Sequence, residues 1–159
     1  MPNWTYNTIT MLGIGSLDLY TLDEDGKKHF DFEKIIPSPK TEKEYLASGG
    51  GKYTDPRERS LQIDSERPWF NWYDWNCDHW GTKWNACDSY VYDDEVHFDT
   101  AWCAPDPIFE ALSKKYPEVE METSSTFEDG GDTLNRTYKN GEITFEEWVP
   151  GEPWEEETE

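Results

Sequence analysis

The dipeptide Asn140-Gly141, between two segments of alternating polar and apolar residues, constrains the fold more than any other feature of the chain. A two-residue loop of this composition favours a type I′ turn and therefore a β-hairpin. We predict the two strands of this hairpin at residues 133–139 and 143–149, with a further strand at residues 119–127 before them. The carboxyl-terminal third of the chain is therefore expected to form antiparallel sheet.

The remaining patterns predict a mixture of strands and helices. Strands are predicted at residues 5–12, 30–36, 89–92 and 96–102, the last two as a hairpin around Asp93-Asp94-Glu95. Helices are predicted at residues 41–47, where Thr41 is a suitable amino-terminal cap, and at residues 68–79 and 107–115. The pattern is that of an α+β protein.

Length and aromatic content indicate a folded chain. A chain of 159 residues is typical of one domain, which we assign to residues 1–150, and residues 151–159 form a short acidic tail. Only 35% of the residues are hydrophobic, but 16% are aromatic, including nine Trp and nine Tyr. Because each ring removes a large area from water, few aliphatic residues are needed to fill a core.

The net charge of −21 is unevenly placed, with −5 in residues 1–89 and −16 in residues 90–159. Direct nucleic-acid binding is not expected, because phosphate contacts need a basic surface, and anionic membranes are disfavoured for the same reason. No apolar run reaches the roughly 18 residues of a membrane span, and no signal sequence precedes the first predicted strand. Three cysteines, an odd number, suggest no disulfide framework. We expect a cytoplasmic protein.

Several groups of residues are similar to landmarks of a known family. They are Met1-Pro2-Asn3-Trp4, Phe30-Asp31-Phe32-Glu33-Lys34-Ile35-Ile36-Pro37-Ser38-Pro39, Trp80-Gly81-Thr82-Lys83-Trp84-Asn85-Ala86, Phe98-Asp99-Thr100-Ala101-Trp102, Phe127-Glu128-Asp129-Gly130-Gly131 and Tyr138-Lys139-Asn140-Gly141-Glu142. The chain resembles the YubB-type ferredoxin-like domain family, which phages and plasmids carry. The resemblance implies a ferredoxin-like antiparallel sheet with helices on one face. Gly13 and Gly15 disfavour helix after the first strand, so we predict that the first helix of the family is short or replaced here.

Catalytic and metal-binding patterns are weak. Donors of the type that bind zinc are present, but no Cys-X-X-Cys pair occurs among them. The phosphate-binding loop and the nucleophile elbow are absent as well. We therefore predict no metal, no cofactor and no catalytic residue, and we expect that the protein is not an enzyme. The donors are Cys77, His79, Cys87, His97 and Cys103.

The two Trp-containing segments have two interpretations. Their rings can fill the core while the polar residues satisfy backbone groups, or the segments can line a groove for a ligand. The groove interpretation makes the protein an accessory domain for a small ligand or a peptide. The candidate groove residues are Trp80, Thr82, Lys83, Trp84, Asn85, Asp99, Thr100 and Trp102.

The acidic residues also have two interpretations: a solvated surface, or a face that a basic site of another protein recognises. A strand through Glu118, Glu120 and Glu122 would place the three carboxylates on one face. On the second interpretation the protein imitates nucleic acid, binds a basic host protein and inhibits a DNA- or RNA-handling defence enzyme of the restriction or CRISPR type; the phage or plasmid setting is implied by the resemblance. The candidate residues are Asp93, Asp94, Glu95, Glu118, Glu120, Glu122, Glu128, Asp129, Asp132, Glu142, Glu146 and Glu147.

Overall fold

The structure is a computed structural model that describes residues 3–48, 64, 66–128 and 131–151. The strands are β1 (Trp4–Thr10), β2 (Tyr20–Leu22), β3 (Lys28–Phe30), β4 (Cys87–Val91), β5 (Glu95–Ala101), β6 (Met121–Phe127), β7 (Thr133–Lys139) and β8 (Glu142–Val149). The α-helices are α1 (Glu42–Ala47), α2 (Trp72–His79) and α3 (Asp106–Lys115), and short 3-10 helices span Ile14–Ser16 and Phe32–Lys34.

The main sheet has six antiparallel strands in the order β4-β5-β1-β6-β7-β8. Its first four strands follow the ferredoxin-like order, because β4 and β5 form a hairpin and β1 lies between β5 and β6. The hairpin of β7 and β8 extends this sheet beyond β6. The predicted α+β class and ferredoxin-like sheet are therefore confirmed.

The hairpin at Asn140-Gly141 forms as predicted. Both residues have positive φ values, 52° and 81° respectively, which is the backbone conformation of a type I′ turn. The backbone N–H of Gly141 donates to Oγ of Ser113 at 2.9 Å. This bond fixes the hairpin to α3.

The helices pack on one face of the sheet, and aromatic rings fill the space between the two layers. Phe98 of β5 contacts Phe109 of α3 with ring centroids 6.5 Å apart, and Phe109 contacts Tyr138 of β7 at 6.1 Å. Trp75 of α2 contacts Trp80 at 5.6 Å, and both belong to the same buried cluster. The expected aromatic core is confirmed.

The segment that follows β1 contains no long helix. It consists of the 3-10 helix Ile14–Ser16 and the small hairpin of β2 and β3, so the prediction of a short or replaced first helix is confirmed. The backbone N–H of Gly15 donates to the carbonyl of Asp93 at 2.9 Å. A Cβ at Gly15 would collide with the carbonyl oxygen of Tyr92, so this glycine permits the close contact with the β4–β5 turn.

Several predicted boundaries are wrong; for example, the strand predicted at residues 5–12 ends at Thr10, and the strand predicted at residues 89–92 begins at Cys87. The strand predicted at residues 30–36 ends at Phe30, because the side chain of Asp31 accepts a hydrogen bond from the backbone of Glu33 and begins a 3-10 helix. The helix predicted from residue 68 begins at Trp72, after the cap Asn71. The strand predicted from residue 119 begins at Met121. The tail residues 152–159 lie outside the described residues.

Candidate binding site on the open sheet face

One face of the main sheet is covered by the helices, and the other carries side chains that are partly or fully exposed. In β1, Thr5, Asn7 and Ile9 are buried, whereas Tyr6 and its alternate neighbours point to the opposite side. The strand register places these neighbours in three rows across β5, β1, β6, β7 and β8, and we call this surface the open face. The rows are Glu95, Thr10, Glu122, Thr137 and Phe145; His97, Thr8, Ser124, Asn135 and Glu147; and Asp99, Tyr6, Thr126, Thr133 and Val149.

The open face is anionic. Its rows contain Glu95, Asp99, Glu122 and Glu147, and none of its row positions is Lys or Arg. Glu95 and Glu122 both flank Thr10 in the register. Their Cα atoms are therefore two strand spacings apart, or about 10 Å. The four carboxylates are therefore spread over three strands of the open face and do not follow one strand.

A depression of about 330 Å³ lies on this face between β1, β6, β7 and β8. Its lining includes Thr8, Thr10, Ser124, Glu122 and Phe145. Arg136 also lines it, and its guanidinium group pairs with Asp106 and Glu146. Hydroxyl and carboxylate oxygens accept hydrogen bonds, and an aromatic ring favours a flat or apolar group. The depression is therefore suited to donors such as ammonium or guanidinium groups.

A chain of hydrogen bonds crosses the same face. Oγ1 of Thr8 lies 3.0 Å from Nδ1 of His97, and Nε2 of His97 lies 2.9 Å from Oε1 of Glu95. Hydroxyl, imidazole and carboxylate in this order can activate a nucleophile in a desolvated site. Here the side chains of His97 and Glu95 are 42% and 45% exposed, and solvent weakens such activation. The two hydrogen bonds therefore serve to fix the orientation of the His97 imidazole ring.

The electrostatic environment near Tyr6 is strongly negative. Burial and the neighbouring Asp88 raise the pKa of Asp99 above its ordinary value. Desolvation together with the charges of Glu128 and Asp99 raises the pKa of Tyr6. A bound cation would relieve the repulsion that disfavours these anions.

The predicted acidic residues do not all lie on the open face. Glu146 lies on the opposite face from Glu147, where it accepts a hydrogen bond from Arg136 at 2.6 Å. Burial alone would lower the pKa of Arg136, but hydrogen bonds to Glu146 and Tyr138 raise it above its ordinary value. Arg136 also lies 3.0 Å from a carboxylate oxygen of Asp106. Glu146 is therefore neutralised within the fold.

The structure also separates the three glutamates that were expected on one strand face. The strand begins at Met121, so Glu118 and Glu120 precede it and only Glu122 occupies the open face; that prediction is wrong. Other acids make local structural contacts: Asp94 accepts from the backbone N–H of Gly13 at 2.8 Å. The remaining predicted residues have other positions: Asp93 lies in the β4–β5 turn, Glu142 begins β8, Glu128 and Asp132 flank the β6–β7 connection, and Asp129 lies outside the described residues.

Four of the eight residues predicted to line a Trp groove instead make hydrogen bonds that hold the fold together. Trp80 is 4% exposed, and its indole N–H donates to the carbonyl of Ile36 at 2.9 Å. Thr82 and Thr100 are buried, and they donate to the carbonyls of Ala101 and Cys103, respectively. The fourth, Asn85, accepts from the backbone N–H of Phe32 and donates to Asp31.

The other predicted groove residues are at the surface. Nζ of Lys83 lies 4.3 Å from the ring centroid of Trp84 and 4.0 Å from that of Trp102. Asp99 belongs to the open face. The eight residues therefore do not line one common groove.

Comparison with known families agrees with the sheet order. A family model described as a ferredoxin-like domain in Api92-like protein matches residues 79–159, slightly more than half of the chain. The chain belongs to this family. The matched region contains β4 to β8 and α3, and it therefore includes every strand of the open face except β1. No curated protein and no solved structure shows a significant match.

The described residues were also compared with the requirements of metal sites, disulfides and membrane-spanning helices. No group of three or more His, Cys, Asp or Glu side chains among them is arranged to hold a metal ion. Cys77, Cys87 and Cys103 are free thiols, and burial is the main cause that raises the pKa of each. In the part of the chain that is described, no helix is long and apolar enough to cross a membrane.

Several residues of the open face were not identified from the sequence. Tyr6, Thr8 and Thr10 alternate in the first predicted strand, so their common side could have been inferred. Their partners on β5 and β6 could not, because His97 is 89 residues from Thr8 in the chain and no local pattern encodes that register. Trp148, which pairs with the buried Leu134 and so does not belong to the open face, was predicted in a strand but in no site.

Proposed function

We propose that the protein is a binding protein whose open face occupies a positively charged, nucleic-acid-binding site of another protein. The observation that carries the proposal is the composition of that face: Glu95, Asp99, Glu122 and Glu147 lie among hydroxyl and amide groups with no Lys or Arg in the rows. Such a face attracts a basic groove and repels nucleic acid itself.

Most positive groups of the described chain lie outside the rows of the open face, which supports a directional field; the exposed Lys139, which follows Thr137 on the same side of β7, borders the first row. Lys27 and Lys28 belong to the β2–β3 hairpin, and Lys114 and Lys115 are at the end of α3. Arg136 points to the helix-covered side, where it pairs with Glu146. A basic partner is therefore steered towards the open face in preference to the helical face.

The proposed contact is also favoured because the negative charge of Asp99 is unfavourable in the free protein. Asp99 carries a raised pKa because it is partly buried and close to Asp88. A guanidinium or ammonium group from the partner would compensate this unfavourable charge. Part of the binding free energy then comes from relief of repulsion that is already present in the free protein.

The family resemblance to phage- and plasmid-borne proteins suggests the kind of partner. A mobile element benefits when it blocks a host enzyme that destroys or restricts its nucleic acid. We therefore propose restriction or CRISPR-type defence enzymes as the targets, with exclusion of the true substrate as the mechanism of inhibition.

Affinity capture from host lysate with two matched variants tests the proposal. One variant combines Asp99→Asn, Glu122→Gln and Glu147→Gln, side chains for which no hydrogen bond is seen in the described structure. The control combines Glu24→Gln, Glu42→Gln and Asp78→Asn, which removes the same charge away from the open face. We expect the control to retain a nucleic-acid-binding partner that added DNA or RNA displaces, and the open-face variant to lose it. Equal losses in both variants, or a partner that nucleic acid does not displace, would contradict the proposal.

A further inference from the structure

A second cavity lies at the end of the main sheet where β1 and β7 begin and β5, β6 and β8 end. It has a volume of about 310 Å³, and we call it the end pocket. Four aromatic side chains and two carboxylates contribute to its lining. They are Trp4, Trp102, Phe127, Trp148, Glu128 and Asp132.

Two of these rings are exposed to an extent that core packing does not explain. Trp102 is 46% exposed and Trp148 is 56% exposed, whereas Trp75 and Trp80 are each 4% exposed. Phe127 stacks on Trp148 with centroids 5.8 Å apart and an interplanar angle of 21°. Exposed aromatic rings that converge on one cavity are typical of a binding site.

The backbone holds Trp102 in an unfavourable conformation. Its φ value is 73°, in the left-handed region that side chains other than Gly rarely adopt. The backbone N–H of Trp102 donates to the carbonyl of Asn3 at 2.8 Å, which fixes this position. Strain at an exposed ring that lines a cavity is the kind of outlier that marks functional sites.

The two carboxylates of the end pocket are held in place but are not neutralised. Oε1 of Glu128 accepts from the backbone N–H of Trp4, and Oδ1 of Asp132 accepts from that of Gly151, both at 2.8 Å. Neither carboxylate forms an ion pair with a Lys, Arg or His among the described residues, and the second oxygen of each has no hydrogen-bond donor there. The cavity therefore combines aromatic faces with two uncompensated negative charges.

This combination selects a planar cation. A guanidinium group stacks on aromatic rings and donates paired hydrogen bonds to carboxylates, which a compact ammonium group does less well. Lys83 already lies 4.0 Å from the Trp102 centroid, and it is not among the residues that line the end pocket. The Trp102 ring thus accepts one cation within the fold, as expected for a cation–π contact.

We infer that the end pocket binds the guanidinium group of an arginine side chain of the partner protein. The inference rests on the proposed function and names a contact point for the same basic partner. Trp4 connects the two surfaces, because it lies on the same side of β1 as Tyr6 and also lines the end pocket. Phe127 and Trp148 pair with the buried Thr5 and Leu134, so they line the pocket from the helix-covered side. A partner that covers the open face would therefore place an arginine at this end of the sheet.

NMR titration of the ¹⁵N-labelled full chain tests the pocket alone. The probe is N-acetyl-arginine amide, and the matched control is N-acetyl-citrulline amide, which has nearly the same shape and no charge. We expect saturable shifts of the indole N–H signals of Trp102 and Trp148 with the arginine probe, with a dissociation constant on the order of 1–10 mM for so small a ligand. The citrulline probe should bind at least about tenfold more weakly, as expected when a charge-assisted contact is lost.

The variant Glu128→Gln/Asp132→Asn keeps both acceptor oxygens for the backbone N–H groups and removes both charges. It should weaken the arginine probe by a similar factor of about ten, whereas Glu24→Gln/Asp25→Asn on the β2–β3 turn should leave the affinity unchanged. Absent indole shifts, or equal shifts with arginine and citrulline, would overturn the inference. If the open-face variant abolishes partner capture but the pocket variant does not, the pocket inference fails and the proposed function stands. If the probe binds the pocket but the open-face variant captures the partner as well as the native protein does, the proposed function fails and the arginine site stands.

Discussion

At the scale of single residues, Asp99 shows how the open face departs from an optimally stable surface. Burial and the charge of Asp88 raise its pKa above the ordinary value of 3.8. A carboxyl group whose pKa is higher in the folded than in the unfolded state stabilises the fold when protonated and destabilises it when ionised. Retaining such a charge is understandable if a cationic partner compensates it.

The substitution Asp99→Asn should therefore raise the free energy of unfolding at pH 7. The gain should disappear as the pH falls through the raised pKa of Asp99 towards 3.8, because the native carboxyl is then protonated and resembles the amide. Urea denaturation between pH 7 and pH 4 measures this difference. Asp25→Asn, at an exposed turn position, is the control for the removal of one charge. An Asp99→Asn variant less stable than the native protein at pH 7 would refute this account of Asp99.

At the scale of elements, the β7–β8 hairpin determines whether Glu147 reaches the open face. Asn140 and Gly141 both have positive φ, and a one-residue register shift between Thr137 and Tyr138 then pairs Glu147 with Asn135 and Glu146 with Arg136. A shift of one residue would exchange the two glutamates between the faces. The turn and the register shift are thus together a structural requirement of the proposed site.

Gly141→Ala should destabilise the protein by roughly 1–2 kcal/mol, the usual penalty for a side chain in the left-handed region. The added Cβ also meets the side chain of Lys114, which is flexible enough to move. Asn140→Gly is the matched control and should change stability by only a few tenths of a kcal/mol, since both residues tolerate positive φ. Denaturant titration of the two variants compares them, and similar losses in both would contradict this interpretation of the turn.

The elements themselves were largely predictable, whereas the site was not. The hairpin at Asn140-Gly141 and the helix α3 follow from local chemistry, namely turn residues and the order of Asp106 before Lys114. The strand predicted beyond Phe30 failed, because a side-chain cap at Asp31 outweighed the alternating pattern. The open face depends on pairing between segments far apart in the chain, such as Thr10 with Glu122, and local patterns do not contain that information.

At the scale of the whole molecule, the relevant quantity is the direction of the electric field. The chain has a net charge of −21, but pairs such as Glu146 with Arg136 remove part of it from the helical side. The unpaired carboxylates Asp99, Glu122 and Glu147 lie together on the open face. The proposed function requires an asymmetric field, which accelerates encounters with a basic surface.

Association with the partner should consequently depend on salt. Raising NaCl from 50 to 500 mM should slow association by about tenfold or more, because the Debye length falls from more than 10 Å to about 4 Å. Dissociation should change much less. Surface-immobilised kinetics with the captured partner measure both rates, and an association rate indifferent to salt would rule out electrostatic steering.

Hydroxyl-radical footprinting of the complex with the captured partner tests the central claim most directly, because it reports which side chains become covered. Tyr6 and Phe145 of the open face are 44% and 53% exposed in the free protein, and Leu22 and Leu46, away from that face, are 63% and 42% exposed. The account predicts that the partner protects Tyr6 and Phe145 from oxidation and leaves Leu22 and Leu46 as reactive as before. Protection of Leu22 and Leu46 with undiminished oxidation of Tyr6 and Phe145 would contradict it.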